Sequence, residues 1–326
     1  MKCDLVNIFN HQYEKNIPLL DWYYGDRFNR IWHLSPFSRS VEKNIIPVYD
    51  GSFTFQSFVA QAWRTLRESN ADYYLFASDD LLIDPDIHQG NIEEHFSLAR
   101  NGAFISQLHD LSTGEFSRGV IEVKKMRRQN LSGLEHHQHL PDSDKARRMI
   151  QRYGLLQSEK IHRYHPFDAR YQKPYLGNIS CNWRKFKTNV WHRREQFRHF
   201  LNPVTMPYPV VGGNSDIFIV PRERMDEFAR LCGIFAAMRI FVELAIPTAL
   251  VMSCEEITTE KTTVRKGVNY VAVWRETETI ERGAILKAVE NSCSFQLETL
   301  KSNWPSDYLY LHPLKLSKWK TSLTPP

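Results

Sequence analysis

Apolar residues in the first hundred positions follow two different periods. Runs in which every second residue is apolar predict strands at residues 4–9, 30–34, 44–49 and 72–77. Helical spacing predicts helices over residues 57–67 and 92–100, and a further strand follows at residues 103–108. Strands and helices that alternate in this way are typical of a mainly parallel sheet sandwiched by helices. We therefore expect an α/β fold, with its first half at residues 1–110.

The remaining chain divides into two segments. Residues 111–204 are polar, basic and rich in histidine, and their one predicted helix, at residues 143–153, begins after the capping residue Asp142. This pattern predicts an irregular insertion. Regular patterns return in residues 205–326, which we expect to complete one continuous domain with the first half. There, a loop at Gly212 and Gly213 precedes a strand, and two helices are predicted at residues 224–231 and 235–250, separated near Gly233.

Composition is that of an ordinary globular protein. The 326 residues are 42% hydrophobic and carry a formal net charge of +5. Five cysteines lie scattered without a CxxC pair, which argues against a disulfide framework or a zinc knuckle and favours a reducing compartment. The first residues lead directly into a strand, without the apolar region of a signal peptide. We expect a cytoplasmic protein.

Two segments raise the question of membranes and polymers. Residues 231–252 are apolar, but Arg239, Glu243 and Pro247 interrupt them, and each charge would cost about 2.5 kcal/mol or more at the centre of a bilayer. A buried helix is the better interpretation, and membrane contact would be peripheral, at the inner face. Residues 183–199 concentrate cations and aromatic rings. They form either a solvated helix face or a surface for phosphate, anionic lipid or nucleic acid; a nucleic-acid partner is not favoured.

An acidic pair ends the most apolar strand. Residues 73–77 run into Ser78, Asp79 and Asp80. Two adjacent carboxylates at the end of a buried strand repel each other and lose solvation, so they persist where a cation, a hydroxyl or a positive side chain compensates them. In open α/β sheets that end of the strand is also where ligands bind. A solvated turn is the alternative, because aspartate is a common turn residue.

Three motifs in this order resemble nucleotide-sugar glycosyltransferases of the GT-A fold, which is Rossmann-like. They are the apolar strand that ends in Ser78-Asp79-Asp80, the Gly-Gly-Asn-Ser-Asp loop that ends at Asp216, and the carboxy-terminal His312-Pro313-Leu314-Lys315. The resemblance covers most of residues 2–110 and 205–320. It implies transfer of a sugar, of the hexosyltransferase class, to a glycan or lipid-linked acceptor.

The resemblance also implies a divalent cation, Mn²⁺ or Mg²⁺, that neutralises the leaving diphosphate. Asp80 is the expected metal ligand and His312 a second one, since imidazole suits manganese. Asp79 would contact the donor or support Asp80. Lys315 and Lys318 would face the diphosphate. The sequence departs from a strict DxD motif because Ser78 stands in place of the first acid, and this leaves the dependence on metal open.

The donor nucleoside is expected at the strand ends of the first half. A UDP-sugar is favoured as the donor. The candidate contacts are residues that follow the first and third predicted strands: Asn7, Phe9, His11, Tyr49 and Asp50. Tyr49 is equally compatible with a core edge, and Asp50 with a turn before Gly51.

Two carboxylates are candidates for the base that deprotonates the acceptor. Asp216 follows the glycine loop and resembles the acidic residue that the family places on the acceptor side. Glu243 lies within an apolar predicted helix, where an unpaired charge is costly. The alternative for Glu243 is a buried ion pair with Arg239, four residues earlier on the same helix face.

Two other functions are compatible with the sequence. A metal-dependent nuclease or nucleotidyltransferase would hold two ions, and it requires that Asp84 and Asp86 converge on Asp79 and Asp80. A non-enzymatic protein would bind an anionic polymer through residues 183–200. A structural zinc in the histidine-rich insertion, at residues 136–139 with His162 and His165, is not expected, because no regular element fixes the ligands there.

Overall fold

The computed structural model describes residues 1–113, 122–123, 136–156, 158, 160–161, 204–206, 208–269 and 276–321. The strands in these residues are β1 (Cys3–Ile8), β2 (Arg30–Pro36), β3 (Ile45–Val48), β4 (Tyr73–Ser78), β5 (Leu82–Ile83), β6 (Ala103–Ile105), β7 (Leu108–His109), β8 (Lys160–Ile161), β9 (Val204–Thr205), β10 (Gly212–Gly213), β11 (Ile217–Pro221), β12 (Ile257–Thr258), β13 (Lys266–Asn269) and β14 (Tyr308–His312). The α-helices are α1 (Ile17–Tyr24), α2 (Phe55–Leu66), α3 (Ile92–His95), α4 (Ser143–Gln151), α5 (Arg222–Ala237), α6 (Val242–Ser253), α7 (Glu276–Ser292) and α8 (Leu297–Ser302).

A seven-stranded sheet runs through the centre in the order β12-β6-β11-β4-β1-β2-β3. The pairs of β1 with β2 and β4, of β2 with β3, and of β6 with β12 are parallel, and only β11 is antiparallel to its neighbours β4 and β6. The prediction of an α/β fold with a mainly parallel sheet is confirmed. The sheet joins both halves of the chain, because β11 comes from the second half and lies between two strands of the first.

Hydrophobic residues on the two faces of the sheet form separate clusters. Val6 and Ile8 of β1 pack on one face with residues from α2, α5 and α6. Leu5, one position along the same strand, packs on the other face with residues from α1, α8 and the strand β14. The alternation of buried residues along β1 therefore places helices on both faces.

The break between the two apolar helices differs from the prediction. It lies at residues 238–241, between α5 and α6, and not near Gly233. Gly233 stays inside α5, where a Cβ atom would lie in ordinary contact with Ala60 of α2, at 3.5 Å. Arg239 has a φ of 52°, which ends the helical path there. In the described residues, no helix has the length and apolarity that crossing a membrane requires.

The segment at residues 92–100 also ends earlier than predicted. α3 covers only residues 92–95, because the left-handed backbone at Ser97, with a φ of 51°, cannot continue a helix. The predicted strand at 103–108 divides into β6 and β7.

The described part of the insertion is more regular than the sequence indicates. α4 begins as predicted, with the Asp142 carboxylate accepting a hydrogen bond from the Lys145 peptide nitrogen at 2.8 Å. Ile150 of α4 is buried in the same cluster as α6. Arg152 then donates to the carbonyl oxygens of Val251 and Cys254 at the end of α6. The basic aromatic segment at 183–199, together with His162 and His165, lies outside the described residues.

Candidate functional site

The order of the strands locates a crevice beside β1. The chain builds β2 and β3 on one side of β1 and then returns to place β4 on the other side. The direction of winding therefore reverses between β1 and β4. In open α/β sheets, ligands bind outside the carboxyl ends of the strands at such a reversal. Asn10 follows β1 at this edge, and Asp79 and Asp80 follow β4.

Asp79 is buried at this edge, with 4% of its surface exposed. Its peptide nitrogen donates to the carbonyl oxygen of Ile8 at 2.9 Å, and its Oδ1 accepts from the Asn10 peptide nitrogen at 3.2 Å. Burial, together with the charge of Asp80, raises the pKa of Asp79 to about 7, although the Asn10 peptide and His312 act in the opposite direction. Asp79 thus carries a carboxylate whose charge becomes more favourable when a cation is nearby.

A second, smaller sheet brings the carboxy-terminal histidine to the same place. Its order is β13-β14-β5, and β14 pairs antiparallel with β5, two residues after Asp80. The chain then passes alongside Asp80, because the Leu314 peptide nitrogen donates to the Asp80 carbonyl oxygen at 2.6 Å. His312, at the end of β14, directs Nε2 toward Asp80 Oδ1 at 3.2 Å. The sequence motifs at the two ends of the chain therefore meet.

Acidic neighbours control the protonation of His312. Burial alone would lower the pKa of the imidazole, but Asp216, Asp80 and Asp79 outweigh burial and raise that pKa to about 9. In the absence of a cation, His312 therefore carries a positive charge at neutral pH and compensates part of the acidic cluster.

Asp216 joins the cluster from the strand next to β4. The register of β11 and β4 places Asp216 opposite Ser78, whose peptide nitrogen donates to the Asp216 carbonyl oxygen at 2.9 Å. The Ser78 hydroxyl lies 3.4 Å from Asp216 Oδ1, and Asp216 Oδ2 lies 3.8 Å from His312 Nδ1. A carboxylate from another strand thus stands beside the serine that replaces the first acid of a DxD motif.

The cluster formed by Asp79, Asp80, Asp216 and His312 fits a divalent cation that is also coordinated by a bound ligand. Asp80 Oδ1 is buried, and His312 Nε2 lies 3.2 Å away in an ion pair. Two ligands on adjacent positions of an octahedral ion stand about 3 Å apart, because each metal–ligand bond is about 2.1 Å. Across the described residues, no group of three or more His, Cys, Asp or Glu side chains forms a ready metal site. Asp80 and His312 would therefore supply two ligands, and phosphate oxygens and water the others, as is common for such ions.

The nucleoside contacts predicted after β1 are only partly supported. Asn7 and Phe9 are fully buried; the Asn7 amide nitrogen lies 3.3 Å from His33 Nδ1, and the Phe9 ring packs against the His33 ring. Residues of α1 pack in the same cluster as Phe9, and the contact of these two side chains with a nucleoside stays a prediction. His11 is exposed and its ring lies 5.6 Å from the ring of Tyr13.

The candidates after β3 lie farther along the same edge. Tyr49 is 66% exposed, and Asp50 is bound by the Arg239 guanidinium at 3.2 Å. Because strands are spaced by about 4.8 Å, three strand intervals place the end of β3 roughly 14 Å from the end of β4. A contact from Tyr49 to the base of a nucleotide stays a prediction.

Glu243 lies elsewhere than the sequence indicates. It is in the first turn of α6, whereas Arg239 lies in the break before that helix and contacts Asp50. The predicted pairing of Glu243 with Arg239 on one helix face is therefore wrong. The Ser215 hydroxyl donates to the Val242 carbonyl oxygen at 3.3 Å, which holds the start of α6 beside the loop that carries Asp216.

The lysines after His312 are exposed on an anchored tail. Leu314, Leu316 and Trp319 are buried, while Lys315 and Lys318 point to solvent. The chain is therefore fixed on both sides of each lysine, close to Asp80. This position is compatible with the predicted contact to a diphosphate.

The further acids required by a nuclease do not converge. Asp84 forms an ion pair with Arg265 and accepts a hydrogen bond from the Asp86 peptide nitrogen at 2.9 Å, and Asp86 is exposed. Because Asp84 is engaged by a cation of the protein itself, the structure argues against a site for two metal ions built from these acids.

Two residues of the candidate site were missed by reasoning from the sequence. Asn10 holds Asp79 through its backbone, which no side-chain pattern reveals. Asn269 lies between His312 and Asp216, with its Oδ1 2.9 Å from His312 Nδ1 and its Nδ2 3.4 Å from Asp216 Oδ2. Only the pairing of β13 with β14 brings Asn269 to the site.

Comparisons with protein families, curated proteins and solved structures gave different outcomes. The chain matches no protein-family model and no curated protein. Among solved structures, it is similar to the crystal structure of galactosyltransferase LgtC in complex with donor and acceptor sugar analogs, at 10% identity and a TM-score of 0.35. The match covers 97% of this chain and 88% of that one. With a score this low, a proposal of function has to depend on the geometry of the site.

Proposed function

We propose that this protein is a glycosyltransferase, which moves a sugar from a nucleotide diphosphate donor to a glycan or lipid-linked acceptor. The observation that carries the proposal is the meeting of Asp80 and His312 at the reversal point of the parallel sheet, with Nε2 and Oδ1 3.2 Å apart. Carboxylates that follow a central parallel strand, an imidazole from the end of the chain and neighbouring lysines suit an anionic diphosphate better than a neutral substrate.

A divalent cation, Mn²⁺ or Mg²⁺, held by Asp80 and His312 would neutralise the charge that develops on the leaving diphosphate. The chain's own residues have separate tasks. Asp79, fixed by the Asn10 peptide, would orient the donor or support Asp80. Lys315 and Lys318 would attract the diphosphate by charge.

Asp216 and Glu243 are the two carboxylates proposed for catalysis, and they occupy different positions. Asp216 faces Ser78, Asn269 and His312, on the side of the cation. Glu243 begins α6, beyond the Asp216 loop. We therefore assign to Glu243 the deprotonation of the acceptor hydroxyl, and to Asp216 the support of the cation site.

A thermal-shift experiment tests the proposal. The nucleoside diphosphates of uracil, guanine, cytosine and adenine are added with and without Mn²⁺, and UDP is the favoured ligand. A ligand at about 100 times its Kd stabilises the native state by about 2.7 kcal/mol. We expect this stabilisation with one of the diphosphates, in the presence of Mn²⁺ only.

Asp80→Asn and Asp86→Asn form a matched pair for this experiment. Asp80→Asn should abolish the Mn²⁺-dependent shift, because charge holds the cation, whereas Asp86→Asn should keep it. A wild-type protein that responds to no diphosphate, or an Asp80→Asn variant that responds fully, would overturn the proposal. Loss in both variants would favour the two-metal nuclease instead.

A further inference from the structure

We infer that Asn269 is a positioning residue, which fixes the orientation of the His312 imidazole so that Nε2 faces Asp80. The inference deepens the proposed function, because it concerns the ligand set of the same site. It starts from the backbone: β13 and β14 pair in parallel, and their register places Asn269 beside His312. Asn269 is 3% exposed, so its amide has little access to water.

The hydrogen-bonding partners determine how the amide is oriented. A carboxylate oxygen accepts hydrogen bonds, so the side of the amide that lies 3.4 Å from Asp216 Oδ2 must be the NH₂ group. The amide oxygen then faces His312 Nδ1 at 2.9 Å. Because an amide oxygen only accepts, Nδ1 must carry the proton.

This assignment leaves Nε2 as the nitrogen that faces Asp80. The hydrogen bond at Nδ1 opposes rotation of the imidazole and keeps Nε2 on the side of Asp80. Asn269 thus holds the ring in the orientation that coordination by Nε2 requires.

Gly267 of β13 packs closely against β14, the strand that carries His312. Gly267, two residues before Asn269 and on the same face of β13, lies against Tyr310, where any Cβ atom would collide with the tyrosine ring. Tyr310 is fully buried and its hydroxyl donates to Glu260. Tyr310 and His312 share one face of β14, so the packing that locks Tyr310 also limits movement of the imidazole.

Three variants test the inference. Asn269→Leu removes both polar contacts with little change in size. Asn269→Asp keeps an oxygen acceptor for Nδ1. Asn29→Leu is the matched control, because Asn29 also donates to a carboxylate, Asp4 at 2.6 Å, but at the opposite end of β1.

The first measurement needs neither metal nor activity. In ¹H–¹⁵N spectra of histidine-labelled protein, with His312 assigned through His312→Ala, we expect a downfield Nδ1–H proton that exchanges slowly with water. Asn269→Leu should lose or shift this resonance, whereas Asn269→Asp and Asn29→Leu should keep it. An unprotonated Nδ1 in the wild type, or an unchanged resonance in Asn269→Leu, would overturn the inference.

The second measurement is Mn²⁺ affinity in the presence of UDP, followed by the electron paramagnetic resonance signal of the free ion. Loss of a residue that orients a metal ligand typically costs 10–100-fold in metal affinity. We expect a loss of this size for Asn269→Leu and a smaller one for Asn269→Asp.

Because Asn269 acts mainly through His312, Asn269→Leu should weaken Mn²⁺ binding much less when it is added to His312→Ala than when it is introduced into the wild type. Additive losses would contradict a positioning role. If the wild type binds no Mn²⁺ at all, the proposed function fails, while the spectra of Nδ1 still decide the role of Asn269.

Discussion

Asp79 destabilises the cation-free protein at alkaline pH. Its pKa is raised from 3.8 to about 7, so the folded state favours the protonated carboxyl group. This contribution to stability is complete below pH 3.8 and is lost as the pH rises through 7. We predict that Asp79→Asn increases the free energy of unfolding of the cation-free protein at pH 8 by an amount on the order of 3 kcal/mol, and so raises its Tm. At pH 4 the substitution should not raise the Tm.

Thermal unfolding at the two pH values, in the presence of a chelator, checks this prediction. Asp26→Asn serves as the control, since Asp26 is an exposed acid and its substitution should change little. If Asp79→Asn lowers the Tm at pH 8, the carboxylate is stabilised by a partner within the protein and not by a bound cation.

Substitutions of Asp216 and of Glu243 should impair different steps. We predict that Asp216→Asn weakens Mn²⁺-dependent donor binding about tenfold, because its carboxylate supports the cation side. Glu243→Gln should bind the donor normally but lower kcat by about 100-fold or more, the usual contribution of a general base. Its stability should fall by less than about 1 kcal/mol, as expected for a charge in the first turn of a helix.

Donor titrations and single-turnover assays separate these outcomes. Should Glu243→Gln transfer sugar at the normal rate while Asp216→Asn binds donor but does not react, the two roles are reversed.

The sequence identifies the charged residues of the site better than the neutral ones. Asp80 was predicted because an acidic pair after an apolar strand is itself a signal, whereas His312 was predicted from the resemblance of the carboxy-terminal motif to GT-A glycosyltransferases; the fold brings the two together. Asn269 carries no charge and no motif, and it reaches the site only through the pairing of two distant strands. The burial of Phe9 could not be predicted, because the sequence does not reveal which segment covers the end of β1.

At the scale of elements, the carboxy-terminal tail is a folded part of the site. Trp319 is 3% exposed and packs against Phe295, with ring centroids 5.6 Å apart. Its indole nitrogen forms no hydrogen bond within the described structure. We predict that Trp319→Ala frees the tail and costs about 3–5 kcal/mol in stability. Donor affinity should fall as well, because Lys315 and Lys318 lose their fixed positions.

Trp319→Phe is the matched variant, since it retains a ring and loses no hydrogen bond. Isothermal titration with Mn²⁺ and UDP, together with denaturant unfolding, checks both effects. Normal donor affinity in Trp319→Ala would show that the lysines of the tail do not contact the diphosphate.

The boundary between α5 and α6 shows what the periodicity of apolar residues does not predict. The apolar pattern at residues 224–250 predicted two helices correctly but placed their break at Gly233. Glycine weakens a helix by only about 1 kcal/mol, and α5 continues through Gly233. The break instead falls at Arg239, whose backbone and side chain are held by tertiary contacts that the sequence does not show.

At the scale of the whole molecule, β11 connects the two halves of the chain. It lies between β4 and β6, and its side chains alternate between the two hydrophobic clusters: Phe218 packs in one and Ile219 in the other. Phe218 stacks on Phe76 of β4, with centroids 4.7 Å apart. Neither half can complete its core without this strand. We therefore propose that the described halves form one cooperative unit.

This organisation makes a prediction about unfolding. Phe218→Ala should cost about 3–5 kcal/mol and Ile219→Ala about 2–5 kcal/mol, because each leaves a cavity in a buried cluster. Although the two cavities lie on opposite faces of the sheet, both substitutions should shift the same single transition. Circular dichroism and tryptophan fluorescence should then give coincident denaturation curves. Val264→Ala, at a position 96% exposed, is the control and should change neither curve. Two separate transitions, each sensitive to only one of the substitutions, would mean that the clusters fold independently and that β11 does not couple them.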